Sequence, residues 1–281
     1  MKKILSFIFV FFILLVAYFV ISPTLVNSIK NYVEELKLSK IYETYYTYIE
    51  PWATDNYKDI NYITNFTAYE FKLCSSGDVF KLPCYIYRLN IPYYETKHLP
   101  TISEFWKEGG DCKGYSWFYY ALIEVLKERG YKKMEILKYE PNKKYIIDDK
   151  ILFYTYIDNT GAELIDLQSI YPIVACFDVG GSDVGHCAIL LCPMPLEEII
   201  SKGLQNKTYQ LCTLIEPQKY AYKYDIIEEY GDAYKYRVEN EIGYIFRPFI
   251  LFNKDMFCIT IEKNEWHCTT KEKALKYYKS K

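Results

Sequence analysis

The sequence predicts an α+β fold: a cysteine-bearing helix buried against an antiparallel β-sheet, with one transmembrane helix ahead of it. Three observations predict this. Residues 112–128, "CKGYSWFYYALIEVLKE", are apolar or aromatic nearly all round a helix, and a helix of that kind is central and covered on several sides. Beyond Gly130 a run of strand-like segments follows, which is the order of an α+β domain. At the N-terminus, Lys2 and Lys3 precede "ILSFIFVFFILLVAYFVI" (4–21), long enough at 1.5 Å per residue to nearly match a hydrocarbon core of about 30 Å.

The elements follow in order. Residues 1–22 are expected to be an uncleaved anchor, with a cleaved signal as the competing reading, because the apolar run exceeds a usual signal core. The lysine flank favours a cytoplasmic N-terminus, which puts the domain on the extracytoplasmic side of a single-pass membrane protein. Two Asn-x-Thr sequons, at Asn65 and Asn206, fit that side. Residues 23–55 predict a polar helical stalk, with apolar positions at three and four spacing until Pro51. The domain is expected over 56–262. It opens with strand-like segments across 56–95, where "AYEFKL" and "CYIYRLNI" alternate in period two around an "SSGD" turn. "TISE" (101–104) has the capping-box pattern of a short helix ending at Gly109–Gly110. The long helix from Cys112 to Glu128 stops at Gly130. "KMEILKY", "KILFYTYI", "PIVACFDV", "HCAILLC", "YQLCTLIE", "GYIFRPFILF" and "MFCITIE" predict strands, interrupted by a small helix at "PLEEIISKG". Residues 263–281 predict a basic amphipathic helix.

Composition narrows the function classes. A chain of 281 residues, 51 % of them hydrophobic, can bury a sizeable core. The net charge of −2 gives no reason to expect a nucleic-acid partner. With 30 Lys and 4 Arg, few positions offer the planar fork that grips phosphate or carboxylate. No Cys/His spacing matches a zinc site, and no cofactor or metal is expected. Nine cysteines leave one over if the rest pair. Cys74 with Cys84 and Cys258 with Cys268 close short loops. Cys176, Cys187, Cys192 and Cys212 lie in apolar strands, where a free cysteine acts as a small hydrophobe. The spare thiol fits Cys112.

The chemistry centres on "EGGDCKGYSW" (108–117). A cysteine attacks as the thiolate, and a helix N-terminus favours an anion there. The glycines free the backbone to turn, Asp111 can cap, and Cys112 becomes the first helical residue. An imidazole that takes the thiol proton is the usual second device. Of three histidines, His98 lies in a polar loop and His267 at the start of the C-terminal helix, whereas His186 follows a glycine-rich stretch and opens an apolar strand. Glu216, which ends "LIE" before Pro217, could orient that ring from an adjacent strand; Asp183 and Asp178 compete with it.

Together these blocks resemble the transglutaminase-like superfamily, whose core is built like that of papain-type cysteine peptidases. "EGGDCKGYSWFYYALI", "GHCAILL" and "LIEPQ" carry the resemblance, over roughly residues 85–218. The family's aromatic after the histidine is missing, Glu replaces the usual Asp, and His186 and Glu216 lie 30 residues apart. The resemblance implies a catalytic triad of Cys112, His186 and Glu216. Cys112 would form a thioester with a protein or peptide amide, with Trp106 or Tyr94 assisting in an oxyanion hole, and hydrolysis or transamidation would follow. The alternative is an inactive module of the same fold that binds a peptide or an envelope partner.

Overall fold

The computed structural model describes residues 23, 25–137, 140–147, 150–156, 162–179, 185–202, 212–215, 217, 246–262 and 265–281. The chain divides into two compact units, Met1–Tyr46 and Thr47–Lys281. The division falls within the segment expected to be a stalk. In the first unit, residues 25–44 form a helix, α1, which carries Lys30, Glu34, Glu35, Lys37 and Lys40. With Glu43 these make six charges on one helix, which is incompatible with a hydrocarbon core. Among the described residues no helix is long and apolar enough to cross a membrane. The α+β class holds, whereas no described helix is the expected leading transmembrane helix; the run 4–21 on which that expectation fell lies outside the described residues.

Next comes α2 (Tyr46–Thr54), which from Thr47 onward belongs to the second unit, then a 3-10 turn at Tyr57–Asp59, α3 (Ile60–Phe66) and α4 (Ala68–Leu73). A small hairpin, β1 (Ser75–Ser76) and β2 (Val79–Lys81), leads to α5 (Leu82–Leu89). The expectation of strands over 56–95 is therefore corrected: apart from this hairpin the segment is mainly helical as far as Leu89 and irregular over 90–95. The buried set Ile60, Ile63, Thr64, Thr67 and Phe71 recurs at three and four spacing, as does Leu82, Tyr85 and Ile86. That period outweighs the local alternation of aromatic and polar residues.

Next come α6 (Ile102–Glu108) and α7 (Cys112–Glu128). The capping box at Thr101 and Glu104 forms as expected, and α7 has the expected bounds, with Gly130 just beyond its end at φ 83°. Strands follow: β3 (Lys133–Leu137), β4 (Glu140–Ile147), β5 (Lys150–Tyr156), β6 (Ala162–Asp166), β7 (Tyr171–Val179) and β8 (Gly185–Cys192). A short helix α8 (Leu196–Ser201) precedes β9 (Thr213–Ile215), β10 (Phe246–Phe252), β11 (Met256–Glu262), β12 (Glu265–Thr270) and the helix α9 (Lys271–Lys279). The C-terminal segment is thus a six-residue strand followed by the helix. His267 lies on β12 opposite Ile259 of β11, not at the start of a helix.

Six antiparallel strands in the order β12-β11-β10-β7-β8-β9 form the main sheet. A smaller sheet has the order β1-β2-β3-β6, and β4 pairs with β5. The main sheet has two covered faces. Ile173, Ala175, Ala188, Leu190, Leu251 and Cys258 pack with Leu196 and Ile199 of α8 on one of them. On the other, Phe252 stacks on Phe257 and meets Trp117 of α7, with ring centroids 5.1 and 5.5 Å apart. Burying Trp117, Phe118, Tyr119 and Tyr120 in a row gives α7 its apolar cover on every side.

Four disulfides form, Cys74–Cys84, Cys176–Cys187, Cys192–Cys212 and Cys258–Cys268, and Cys112 is the free thiol. The reading of the four strand cysteines as small hydrophobes is corrected. Cys176 and Cys187 stand directly opposite each other on β7 and β8, where antiparallel Cα atoms approach closely enough to bond.

Candidate functional site

Cys112 opens α7 and is partly exposed. The turn before it is tightly built. Gly109 has φ 89°, and a Cβ there would lie 2.2 Å from the carbonyl oxygen of Pro92. The Gly110 amide donates to that carbonyl at 3.2 Å, and its own oxygen accepts from the Tyr94 amide at 3.1 Å. Gly114 sits where a Cβ would meet Phe105 and Pro100 at 2.6 Å, so the first turn of α7 rests directly on α6 and its lead-in.

Asp111 caps the helix by accepting from the Lys113 amide at 3.1 Å. Its other oxygen accepts from the Thr96 amide at 3.1 Å and pairs with the Lys113 ammonium. That ammonium also donates to the Thr96 carbonyl at 2.8 Å and lies 5.9 Å from the centre of the Tyr48 ring. Asp111 and Lys113 are both buried. The pair ties the loop at residue 96 to the first turn of α7 and neutralises its own charges beside the thiol. Sequence reasoning found the cap but missed the buried lysine. The available signal was a lysine directly after the capped position of an otherwise apolar helix.

The two oxyanion-hole candidates separate. Tyr94 lies beside the turn through its amide bond to Gly110. Its phenol is pushed up by desolvation and then by the charges of Glu108, Asp111 and Glu104, so it stays a proton donor. Trp106 instead meets Phe66 of α3 edge-on at 6.2 Å. Its indole belongs to the contact between α3 and α6.

The position of α7 over the sheet can be worked from two contacts. Near its end, the Lys127 ammonium donates to the Ile170 carbonyl at 2.6 Å, just ahead of β7. Ten residues earlier, Trp117 meets Phe252, which is paired with Val174 of β7. Ten helical residues rise about 15 Å and four strand residues about 14 Å, so α7 runs antiparallel to β7 and nearly along it. Five more helical residues, about 7.5 Å, bring Cys112 level with Cys176–Phe177. The partners of those two on β8 are Cys187 and His186.

Level is not the same as facing. Phe252 pairs with Val174, and Val174 with Ile189, so Ile189 and its alternate Cys187 share the face toward α7. His186 is buried (6 % exposed), and regular alternation puts it with Ala188 on the face covered by α8. Alternation along β8 thus sets His186 and Cys187 on opposite faces at the end of the sheet that Cys112 reaches. Glu216 lies outside the described residues, directly after Ile215, which pairs with Ile189 of β8. Asp183 also lies outside them, while Asp178 is paired with Gly185 at the strand start. His98 is 4.0 Å from Glu104 on the surface, and His267 is 3.6 Å from Glu265. Among the described residues no group of three or more His, Cys, Asp or Glu is arranged to hold a metal.

A second buried carboxylate supports the site from below. Asp55 accepts from the Trp117 indole at 2.6 Å and from the amides of Ile102 and Asn56 at 2.9 Å. It thereby fixes the starts of α6 and α7 against the end of α2. Burial, the largest influence on it, holds its carboxyl above the ordinary range despite those hydrogen bonds and the Lys271 charge. No protein-family model, no curated protein and no solved structure matches the chain.

Proposed function

We infer that the protein is a thiol-dependent amide hydrolase or transamidase of the transglutaminase-like type. Cys112 is its nucleophile, His186 its general base and then acid, and Glu216 the third member of the triad by sequence alone. The observation that carries this reading is the exposure of one unpaired thiol at the first turn of a buried helix, level with the start of β8, in a chain whose other cysteines are bonded. In this reaction the thiolate adds to an amide carbonyl, and the Cys112 amide at the helix start is placed to donate to the developing oxyanion. The amine leaves with a proton from the imidazolium, and water or a second amine then takes the acyl group from sulfur. Among the described residues β9 pairs with β8 from Ile189 to Leu191, so His186, near the start of β8, lies beyond that pairing.

The alternation of β8 favours a second reading, a binding module of the same fold in which Cys112 performs no chemistry. One experiment divides the two. Iodoacetamide labelling of Cys112 is followed against pH in the wild type and in His186→Asn, alongside acyl-adduct trapping with glutamine-containing peptides and a Cys112→Ala control. The enzyme reading expects fast labelling at neutral pH that slows in His186→Asn, and a Cys112-linked acyl adduct. Identical labelling in the two proteins, with no adduct, would sink it in favour of the binding module.

A further inference from the structure

The sequon at Asn65 is not absorbed by the proposed reaction. It occupies the last turn of α3, and Thr67, its third residue, is the one non-helical position between α3 and α4. Asn65 is exposed, and its side chain makes no hydrogen bond among the described residues. The surface around it is unusual. Tyr62, Phe66 and Tyr69 are 70, 71 and 69 % exposed, and Leu73 continues the row at 45 %. Their spacing of four, three and four is that of a core-facing stripe, yet the face turns to solvent. Asn65 is three residues after Tyr62 on α3, so the two are neighbours on that helix surface, and Tyr69 follows on α4.

We propose that Asn65 carries an N-linked glycan, and that its first sugars cover this aromatic face. The donor is a lipid-phosphate-linked oligosaccharide. The anomeric C–O bond to the lipid phosphate breaks, a C–N bond to Asn65 Nδ2 forms, the amide loses one proton, and the lipid phosphate leaves. Helical side chains lean toward the helix N-terminus, which aims the sugar at Tyr62 with Phe66 beside it. The apolar C–H face of a pyranose then meets aromatic rings that would otherwise form an exposed patch. Four disulfides fit a compartment where thiols are oxidised, outside the reducing cytosol. The order of events is also fixed. In the fold the Thr67 hydroxyl donates to the Ile63 carbonyl at 2.8 Å and meets the Tyr85 hydroxyl at 2.6 Å, so it is closed to a transferase. Transfer to Asn65 precedes the closing of Thr67 against Tyr85 of α5.

The test uses the mature protein isolated from its natural cells. Trypsin releases Asp59–Lys72, and fragmentation mass spectrometry reads the modification on Asn65. The expected result is a glycosyl mass on Asn65 that is lost in Asn65→Gln and retained in Thr67→Ser, which keeps the sequon and its hydroxyl. An unmodified Asn65 overturns the proposal, and a glycan on Asn206 alone does so too, because the compartment is then reached without Asn65 being used. For the covering role, nitration of Tyr62 and Tyr69 by tetranitromethane is expected to be slower in the glycosylated protein than in Asn65→Gln. Equal nitration of the two refutes that role.

Discussion

Replacing Asp55 by alanine tests whether the cysteine helix is held from beneath by a buried carboxylate. Asp55 is 5 % exposed, and its loss strands two donors in the core, the Trp117 indole and the Ile102 amide. A buried donor without an acceptor costs about 1–3 kcal/mol, so two cost about 2–6. Removing a desolvated carboxylate returns part of that, leaving a net loss of about 2–4 kcal/mol. Against a typical total of about 5–15 kcal/mol, this is readily seen in urea unfolding followed by tryptophan fluorescence. Asp55→Asn keeps one oxygen and the shape, and should lose less. The pH dependence has a defined sign. Burial raises the folded-state pKa of Asp55 above its unfolded value. Its contribution is therefore complete below the unfolded value and declines as pH rises through the folded one. The stability gap between wild type and Asp55→Asn should narrow from about pH 4 toward neutrality. An Asp55→Ala protein within about 0.5 kcal/mol of wild type, or a gap that widens with pH, would refute the reasoning.

Three further outcomes follow from the packing. Gly114→Ala gains about 1 kcal/mol of helix propensity but forces a Cβ to 2.6 Å from Phe105 and Pro100, and overpacking costs about 1–3 kcal/mol; a fall in Tm is expected, and a rise would show that the first turn of α7 has room to spare. Tyr119→Phe removes a buried hydroxyl with no partner among the described residues, so thermal melting should show unchanged stability or a gain of about 1 kcal/mol; a clear loss would reveal a partner for that hydroxyl. Cys192→Ser with Cys212→Ser opens a loop of separation 20 and should cost about 3 kcal/mol in denaturant unfolding, slightly more than opening Cys258–Cys268 at separation 10; the reverse ranking would contradict the loop-closure account.

The parts legible in the sequence are those set by local signals. The capping box at Thr101, the Asp111 cap and the glycine after Glu128 bound α6 and α7 without reference to the rest of the chain. The strands at 171–179, 185–192 and 246–262 carry long apolar runs and were likewise evident. Residues 56–95 misled because "AYEFKL" and "CYIYRLNI" alternate over a few residues, while their helical period shows only over the longer span from Ile60 to Phe71 and in the burial of Tyr85 and Ile86. Cys176 and Cys187 looked like isolated core residues because their pairing depends on the register of β7 and β8, which neither strand specifies alone. The same holds at the candidate site. That His186 opens a strand was visible; which face it takes depends on how α7 and α8 divide the sheet between them.

The order of the cysteines bears on how the chain matures. Every disulfide joins a cysteine to a near neighbour, at separations of 10, 11, 20 and 10. Cys112 is the single interruption in that succession, between Cys84 and Cys176. An oxidase acting on thiols as they emerge from synthesis would close Cys74–Cys84 correctly. It would then join Cys112 to Cys176 and shift every later pair by one. The native set therefore requires α7 to be seated, or Cys176 to be outcompeted for by Cys187, before that wrong bond is made. The shorter loop to Cys187 works in that direction. In this chain the free thiol is a hazard of biosynthesis that the timing of folding must contain.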